Sequence, residues 1–368
     1  IQYIQFRTKS KKTSLSSLLF HLRKSKSLRT YSGLISYALY NELLRYDKKS
    51  QRIIKYLLAF KPKLVSLHVA SYIISLRNKK DKDAFNTLLT SGILLYRKKM
   101  YDESLFCFKK AHDLKKNIAG VYFYLGRIHE KKNNKKLAIH NYLKTLELKP
   151  DARLYLHVGY MFGIDNKYDE AISFFDKAVE LDPKNPRPYF LKGLISIWKK
   201  DYKVAEDNIK KAIVIKDNSE TYYFYLAIVM EKTKRLEEAI DSLEKAIKYN
   251  PRSARSYNYL GYLFAENNIH INRSLTLIQK ALQIEPNNGA YIDSLGWVYY
   301  RKGKFHKALK NLLKAEKLLR NSPDPVVFDH IGDTYKKLGN VKRAILYWNK
   351  AIKIKKDSKI EKKIKLHR

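Results

Sequence analysis

Cys107 is the only cysteine in the chain, and the ten histidines include no pair spaced as two ligands on one helical turn. Intramolecular disulfides and four-cysteine metal sites are thereby excluded, and Cys107 reads as a core residue. Neither the G-x-x-x-x-G-K-[ST] phosphate loop nor the G-x-S-x-G nucleophile turn occurs. The adjacent carboxylates Glu237 and Glu238 stand near lysines, as solvated ion pairs on a helix surface do. The expectation is of no catalytic residue, no metal, no cofactor and no small-molecule substrate, hence no enzyme. What the spacing does offer is binding chemistry. Lys307, Lys310, Lys314 and Lys317 follow one another at steps of three, four and three, opposite Ala308, Leu312, Ala315 and Leu319, so they share one helical face. Such a stripe suits nucleic acid or an anionic membrane; a solvated lysine face is the plainer meaning.

The charge balance extends this theme, because 75 Lys and Arg stand against 35 Asp and Glu, a formal net charge of +40. A hydrophobic share of 45% is too high for a disordered polycation, so the chain buries a core. Thirteen glycines and nine prolines are too few turn residues for an all-β fold, which favours helices. The longest apolar stretches, near residues 15–22 and 222–230, fall well short of the roughly 18 residues that span a bilayer. Codon bias in an AT-rich genome would also enrich lysine, so the charge by itself does not name a partner. Residues 1–41 hold no Asp or Glu but carry Arg7, Lys9, Lys11, Lys12, Arg23, Lys24, Lys26 and Arg29. The spacing of Leu15, Leu18, Leu19 and Leu22 makes a basic first helix the expectation there, with a targeting segment as the alternative. The sequence starts at Ile1, so cytoplasm and bacterial cell envelope both stay open as locations, an upstream signal peptide included.

The elements that must position these residues are set by a period. Gly92, Gly126, Gly159, Gly193, Gly261, Gly296 and Gly332 recur, with Ala227 in the gap, at steps of 34, 33, 34, 34, 34, 35 and 36 residues. Ser104, Ala138, Ala171, Ala205, Ala239, Ala308 and Ala344 follow twelve residues later, with Ser274 displaced by one. Seven further on lies another alanine in every unit but one, where Thr145 stands instead. All nine prolines fall at junctions: Pro150, Pro183, Pro251 and Pro286 end units, Pro186, Pro188, Pro323 and Pro325 open them, and Pro62 lies earlier. A proline inside a helix costs about 3 kcal/mol, so the junctions separate helices, two to a unit. The small residues let backbones approach closely, while Tyr122, Tyr155, Tyr189, Tyr223, Tyr257 and Phe328 fill the wider gaps.

This pattern of Gly, Tyr, Ala and Pro resembles the 34-residue tetratricopeptide repeat, a helix–turn–helix unit. The resemblance covers residues 85–356 as eight units starting near 85, 119, 152, 186, 220, 254, 289 and 325, most like bacterial multi-repeat scaffolds. It departs from the pattern at Lys192, at a one-residue insertion in 267–272, and at a lengthened junction in 320–324. Residues 1–84 read as a basic segment followed by divergent helical pairs at 34–44, 53–60 and 65–76. Residues 357–368 read either as a basic capping helix or as a tail. The resemblance implies an all-α fold, an α-solenoid wound as a right-handed superhelix with an extended concave groove.

In that family the first helix of each unit lines the groove through positions 2, 5, 9 and 12. Carried onto this sequence, these positions give Arg153, Arg187 and Arg255; Asn258, Asp293 and Asp329; Arg127, Tyr160, Tyr262, Trp297 and Asp333; and Tyr96 and Tyr300. Arginine beside aromatic rings suits carboxylates, carbonyls and apolar anchors of a bound segment. The set that clamps a chaperone's C-terminal carboxylate is missing, because position 5 holds no lysine. Asp293, Asp329 and Asp333, close to Trp297 and His330, give an acidic end to an otherwise basic groove, suited to a basic side chain or a free amine. Capping and inter-helix bonding by these aspartates is the alternative. The expected function is a scaffold or adaptor that binds protein or peptide segments in the groove. The alternatives are RNA, DNA or anionic-membrane binding by the lysine stripe, and a noncatalytic place in a bacterial envelope assembly. Exposed end helices would also allow self-association.

Overall fold

Helix starts follow the capping residues. Asn134, Asp151, Asn185, Asp201, Ser253, Asn288, Asp324, Asn340 and Asp357 each accept a backbone N–H of the first turn that follows, and Pro186 and Pro325 open helices where no N–H is needed. The computed structural model describes residues 81–367. The expectations for the basic N-terminal segment and the divergent helical pairs lie outside the described residues, apart from the last few positions.

The described residues divide into two compact units, one up to residue 165 and one from residue 166. The first contains α1 (Asp81–Arg97), α2 (Tyr101–Leu114), α3 (Ala119–Lys131), α4 (Lys135–Leu148) and α5 (Ala152–Ile164). The second begins with α6 (Tyr168–Leu181), α7 (Pro186–Trp198), α8 (Tyr202–Ile215), α9 (Glu220–Lys232), α10 (Leu236–Tyr249) and α11 (Ala254–Glu266). It continues with α12 (Ile271–Ile284), α13 (Gly289–Arg301), α14 (Phe305–Leu318), α15 (Pro325–Lys337), α16 (Val341–Ile354) and α17 (Ser358–Lys365). Every regular element among the described residues is a helix, and each unit is a run of α-solenoid built from antiparallel helix pairs.

The period has a steric cause. A Cβ added to Gly92 would lie 2.7 Å from the Phe108 ring, and one on Gly126 would lie 2.6 Å from Tyr142. In the second unit the same clash meets Ile209 from Gly193, Ile278 from Gly261, Leu312 from Gly296 and Trp348 from Gly332, at 2.5 to 2.7 Å. Each of these first helices rests its glycine on a large side chain of the second helix of its own pair. Where serine replaces the small alanine, it returns a hydrogen bond across this contact: Ser104 donates to Gly92 O at 2.8 Å and Ser274 to Gly261 O at 2.5 Å.

Between the helices of a pair, one residue takes the left-handed conformation. In the first unit these are Lys99 and Asn133; in the second they are Lys200, Lys234, Asn268, Gly303 and Gly339, with φ between 54° and 82°. The one-residue insertion at 267–272 is absorbed by a second left-handed residue, His270. The other departures are also satisfied. Lys192 donates to Asp176 at 2.6 Å while lying over the Tyr189 ring, and Thr145, buried, donates to Asn141 O at 2.9 Å. At the C-terminal end Ile360 and Ile364 of α17 are buried in the cluster formed by Leu312, Ile331 and Trp348.

Candidate partner-binding surface

On the first helices of the N-terminal unit, the Arg127 guanidinium lies 5.1 Å over the Tyr96 ring and 5.8 Å over Phe123. Arg127 is exposed and has no ion-pair partner among the described residues. Tyr96 also packs against Tyr101, tilted at 5.7 Å, and edge-to-face against Tyr124 at 5.8 Å. One turn along, Glu130 accepts from Tyr142 Oη at 2.6 Å and lies 3.0 Å from His157 Nε2 on α5. Burial opposes its charge, but the Tyr142 and His157 hydrogen bonds win and hold it below the usual carboxylate range. Arg153 and Tyr160 are exposed on α5.

In the C-terminal unit, Arg187 is exposed at the start of α7. Arg255 is engaged instead: Nε and Nη2 reach the two oxygens of Glu220 at 2.9 and 2.5 Å, with the guanidinium 4.6 Å over Phe224. Ser253 and Ser256 donate to the same carboxylate at 2.7 Å. Burial would raise the Glu220 pKa, yet Arg255 and the two hydroxyls pull it down to about 2. Asn258 and Tyr262 are half-buried beside this pair on α11, and Asn258 Oδ1 is enclosed without a hydrogen-bond partner.

The residues expected to form an acidic recognition pocket face inward. Asp293 is 6% exposed and grips His330, and Trp297 is buried between His330 at 4.1 Å and Tyr300 at 4.6 Å in one stack. Trp297 Nε1 donates to Glu266 at 3.0 Å. Asp329 and Asp333 are saturated by the chain itself: Lys363 Nζ of α17 donates to Asp329 at 2.7 Å and to both oxygens of Asp333 at 2.8 Å. Trp348 Nε1 adds a bond to Asp333 at 3.1 Å. Burial and the neighbouring Asp333 raise the Asp329 pKa even so, since two carboxylates share one ammonium. Inter-helix bonding thus occupies these aspartates, with Lys363 in the place given to a partner's amine.

Four family models match: TPR repeat at residues 232–268, tetratricopeptide repeat at 121–186 and again at 327–358, and anaphase-promoting complex, cyclosome, subunit 3 at 164–246. The chain is a tetratricopeptide-repeat protein. It is similar to a TPR repeat-containing protein of Pseudomonas aeruginosa, 36% identical over 74 residues, which is 20% of this chain and 12% of that one. It is also similar to tetratricopeptide repeat protein 13 of Homo sapiens, 33% identical over 89 residues, 24% of this chain and 10% of the relative. These matches span about a tenth of each relative's length. Among solved structures, a tetratricopeptide repeat protein of Parabacteroides merdae superposes with a TM-score of 0.55 at 14% identity, covering 68% of this chain and 98% of the other, a likeness of fold.

Tetratricopeptide repeats generally serve as protein–protein interaction scaffolds and are generally not catalytic. In this tetratricopeptide-repeat protein the stripe of Lys307, Lys310, Lys314 and Lys317 is exposed along α14, on the side away from buried Ala308, Leu312 and Ala315. Among the described residues no three His, Cys, Asp or Glu side chains gather as a metal site, and buried Cys107 has its thiol pushed up to about 11 by desolvation. Sequence reasoning missed Glu130, Glu220, Glu266 and Lys363. Each bonds a side chain on another first helix or on α17, 27 to 35 residues away. That separation is about one repeat, so complementary charges a period apart were the signal available.

Proposed function

We propose that this protein is a noncatalytic scaffold whose first-helix surfaces bind extended or helical protein segments carrying carboxylates beside apolar anchors. The observation that carries the reading is Arg127, exposed over two rings and without an acidic partner among the described residues. A guanidinium flanked by aromatic faces offers a planar fork to a carboxylate and an apolar wall beside it. Exposed Arg153 and Tyr160 extend this surface in the N-terminal unit, and Arg187 with half-buried Asn258 and Tyr262 offers a second one in the C-terminal unit. Arg255, neutralised by Glu220, supplies packing there, and Asp293, Trp297, Tyr300, Asp329 and Asp333 act as its support.

The test is a displayed random-peptide library selected on the protein, followed by anisotropy titration of the enriched peptides. Acidic peptides with an apolar anchor should emerge, and Arg127→Ala or Tyr96→Ala should weaken them at least about tenfold, one good charged hot spot. Enrichment of no common pattern, or affinity indifferent to both substitutions, removes the reading.

A further inference from the structure

Lysine is spread along the whole chain, but the carboxylates that answer it are not. In the C-terminal unit the second helix α10 carries Glu237, Glu238, Asp241 and Glu244, whereas α14 carries only Glu316 and α16 carries none. The outer sides of the earlier helices are cross-linked by ion pairs, Arg235 to Glu206 at 2.7 Å and Arg273 to Glu244 at 2.6 Å. Glu316 is likewise used, by Lys350 at 3.0 Å and Tyr347 at 2.9 Å, and these two bonds set α14 beside α16. Lys307, Lys310, Lys314, Lys317, Lys342 and Lys353 are exposed with no ion-pair partner among the described residues. Helix α12 also lacks a carboxylate but carries only Arg273 and Lys280, so the excess of cations over carboxylates is concentrated on α14 and α16.

Apolar side chains stand among these cations. Leu346 is 56% exposed on the face of α16 that carries Lys342 and Lys353, and Leu318 and Ile354 are exposed at the ends of the same two helices. No Phe, Tyr or Trp of α14 or α16 is exposed, so the face lacks the stacking rings that nucleic-acid grooves use. Long cationic stems around protruding aliphatic groups suit a surface of anionic headgroups over acyl chains.

We propose that the outer face of α14 and α16 docks this protein onto an anionic lipid bilayer, peripherally, independently of segments bound on the first helices. No helix among the described residues is long and apolar enough to cross a membrane, and none is required.

The experiment is vesicle flotation with the full chain, using phosphatidylcholine alone and phosphatidylcholine with roughly a third phosphatidylserine. The protein should float with the anionic vesicles only and be released as salt rises above physiological strength. Lys→Gln at Lys307, Lys310, Lys314 and Lys317 should cut the bound fraction at least about tenfold. The same four charges removed at exposed Lys203, Lys211, Lys216 and Lys248 should leave most of it. Leu346→Asn should make the remaining binding more salt-sensitive. Equal losses from both lysine sets would overturn the proposal, since total charge would then be the cause. Equal flotation with neutral vesicles, or none with anionic ones, would overturn it too. So would random-sequence RNA that binds through the stripe while vesicles do not.

Discussion

The imidazole Nδ1 of His330 on α15 sits 3.0 and 3.1 Å from the two carboxylate oxygens of Asp293 on α13, both side chains being buried. This pair joins two successive first helices at the point where the Trp297 stack also crosses between them. An imidazolium here answers a buried carboxylate, and a neutral imidazole answers it only by one hydrogen bond.

Burial by itself would lower the His330 pKa, but the charge and hydrogen bond of Asp293, with Asp329 and Glu266 behind, raise it above its ordinary value. A raised histidine contributes stability that is complete below its unfolded pKa, about 6.5, and is lost as pH rises through the folded value. Denaturant unfolding from about pH 6 to pH 9 should show the wild type losing stability relative to His330→Gln. A constant gap between the two across that window would mean that His330 binds its proton equally in the folded and unfolded chain, so that its pKa is not raised.

Glu220 has the opposite sign. Its side chain is 10% exposed and its pKa is held near 2, so its contribution is complete above the unfolded carboxylate value and fades as pH falls toward the folded one. Glu220→Gln should cost about 1–2 kcal/mol near neutral pH, because the half-exposed Arg255 regains water when its partner goes. The difference should narrow in acid, between about pH 4.5 and pH 2. Equilibrium unfolding of the two proteins at neutral and acidic pH checks both statements.

The helix pairs were legible because their cause is steric and repeats. Gly332 under Trp348 and Gly126 under Tyr142 are one contact made twice, so a fixed period in the sequence records it. The polar wiring was not legible for the complementary reason. Asp293 has the register of a free groove carboxylate, yet His330, 37 residues later, covers it, and Lys363 lies past the last full repeat where no register foretells its reach. Positions could be assigned from the period, but whether a charge faced outward depended on the residue one repeat away.

Two glycines in first helices make that steric cause measurable. A Cβ at Gly332 would stand 2.5 Å from Trp348 Cδ1 and Nε1, whereas one at Gly120 meets nothing within 4 Å. Gly332→Ala should destabilise the protein by roughly 1–3 kcal/mol through overpacking. Gly120→Ala, in the first turn of α3, should stabilise it by up to about 1 kcal/mol through helix propensity. Urea midpoints with unchanged slopes would report both, and a neutral Gly332→Ala would show that the Trp348 ring gives way freely.

Lys363 decides whether α17 holds the acidic end shut. Removing its ammonium leaves Asp329 and Asp333 half-buried without their shared cation, and also takes away the charge that lies 5.9 Å from the Trp348 ring. Lys363→Met keeps the stem and should cost about 1–3 kcal/mol, the range for hydrogen bonds to charged groups. If the cost arises from unanswered carboxylates, adding Asp333→Asn to Lys363→Met should recover much of it, because the neutral amide would no longer repel Asp329 and its oxygen can still accept from Trp348 Nε1. Asp333→Asn in the wild-type background should instead destabilise by removing a partner from Lys363. The two effects of one substitution, opposite in sign and measured by unfolding in a double-mutant cycle, distinguish an ionic latch from α17 packing through Ile360 and Ile364 alone.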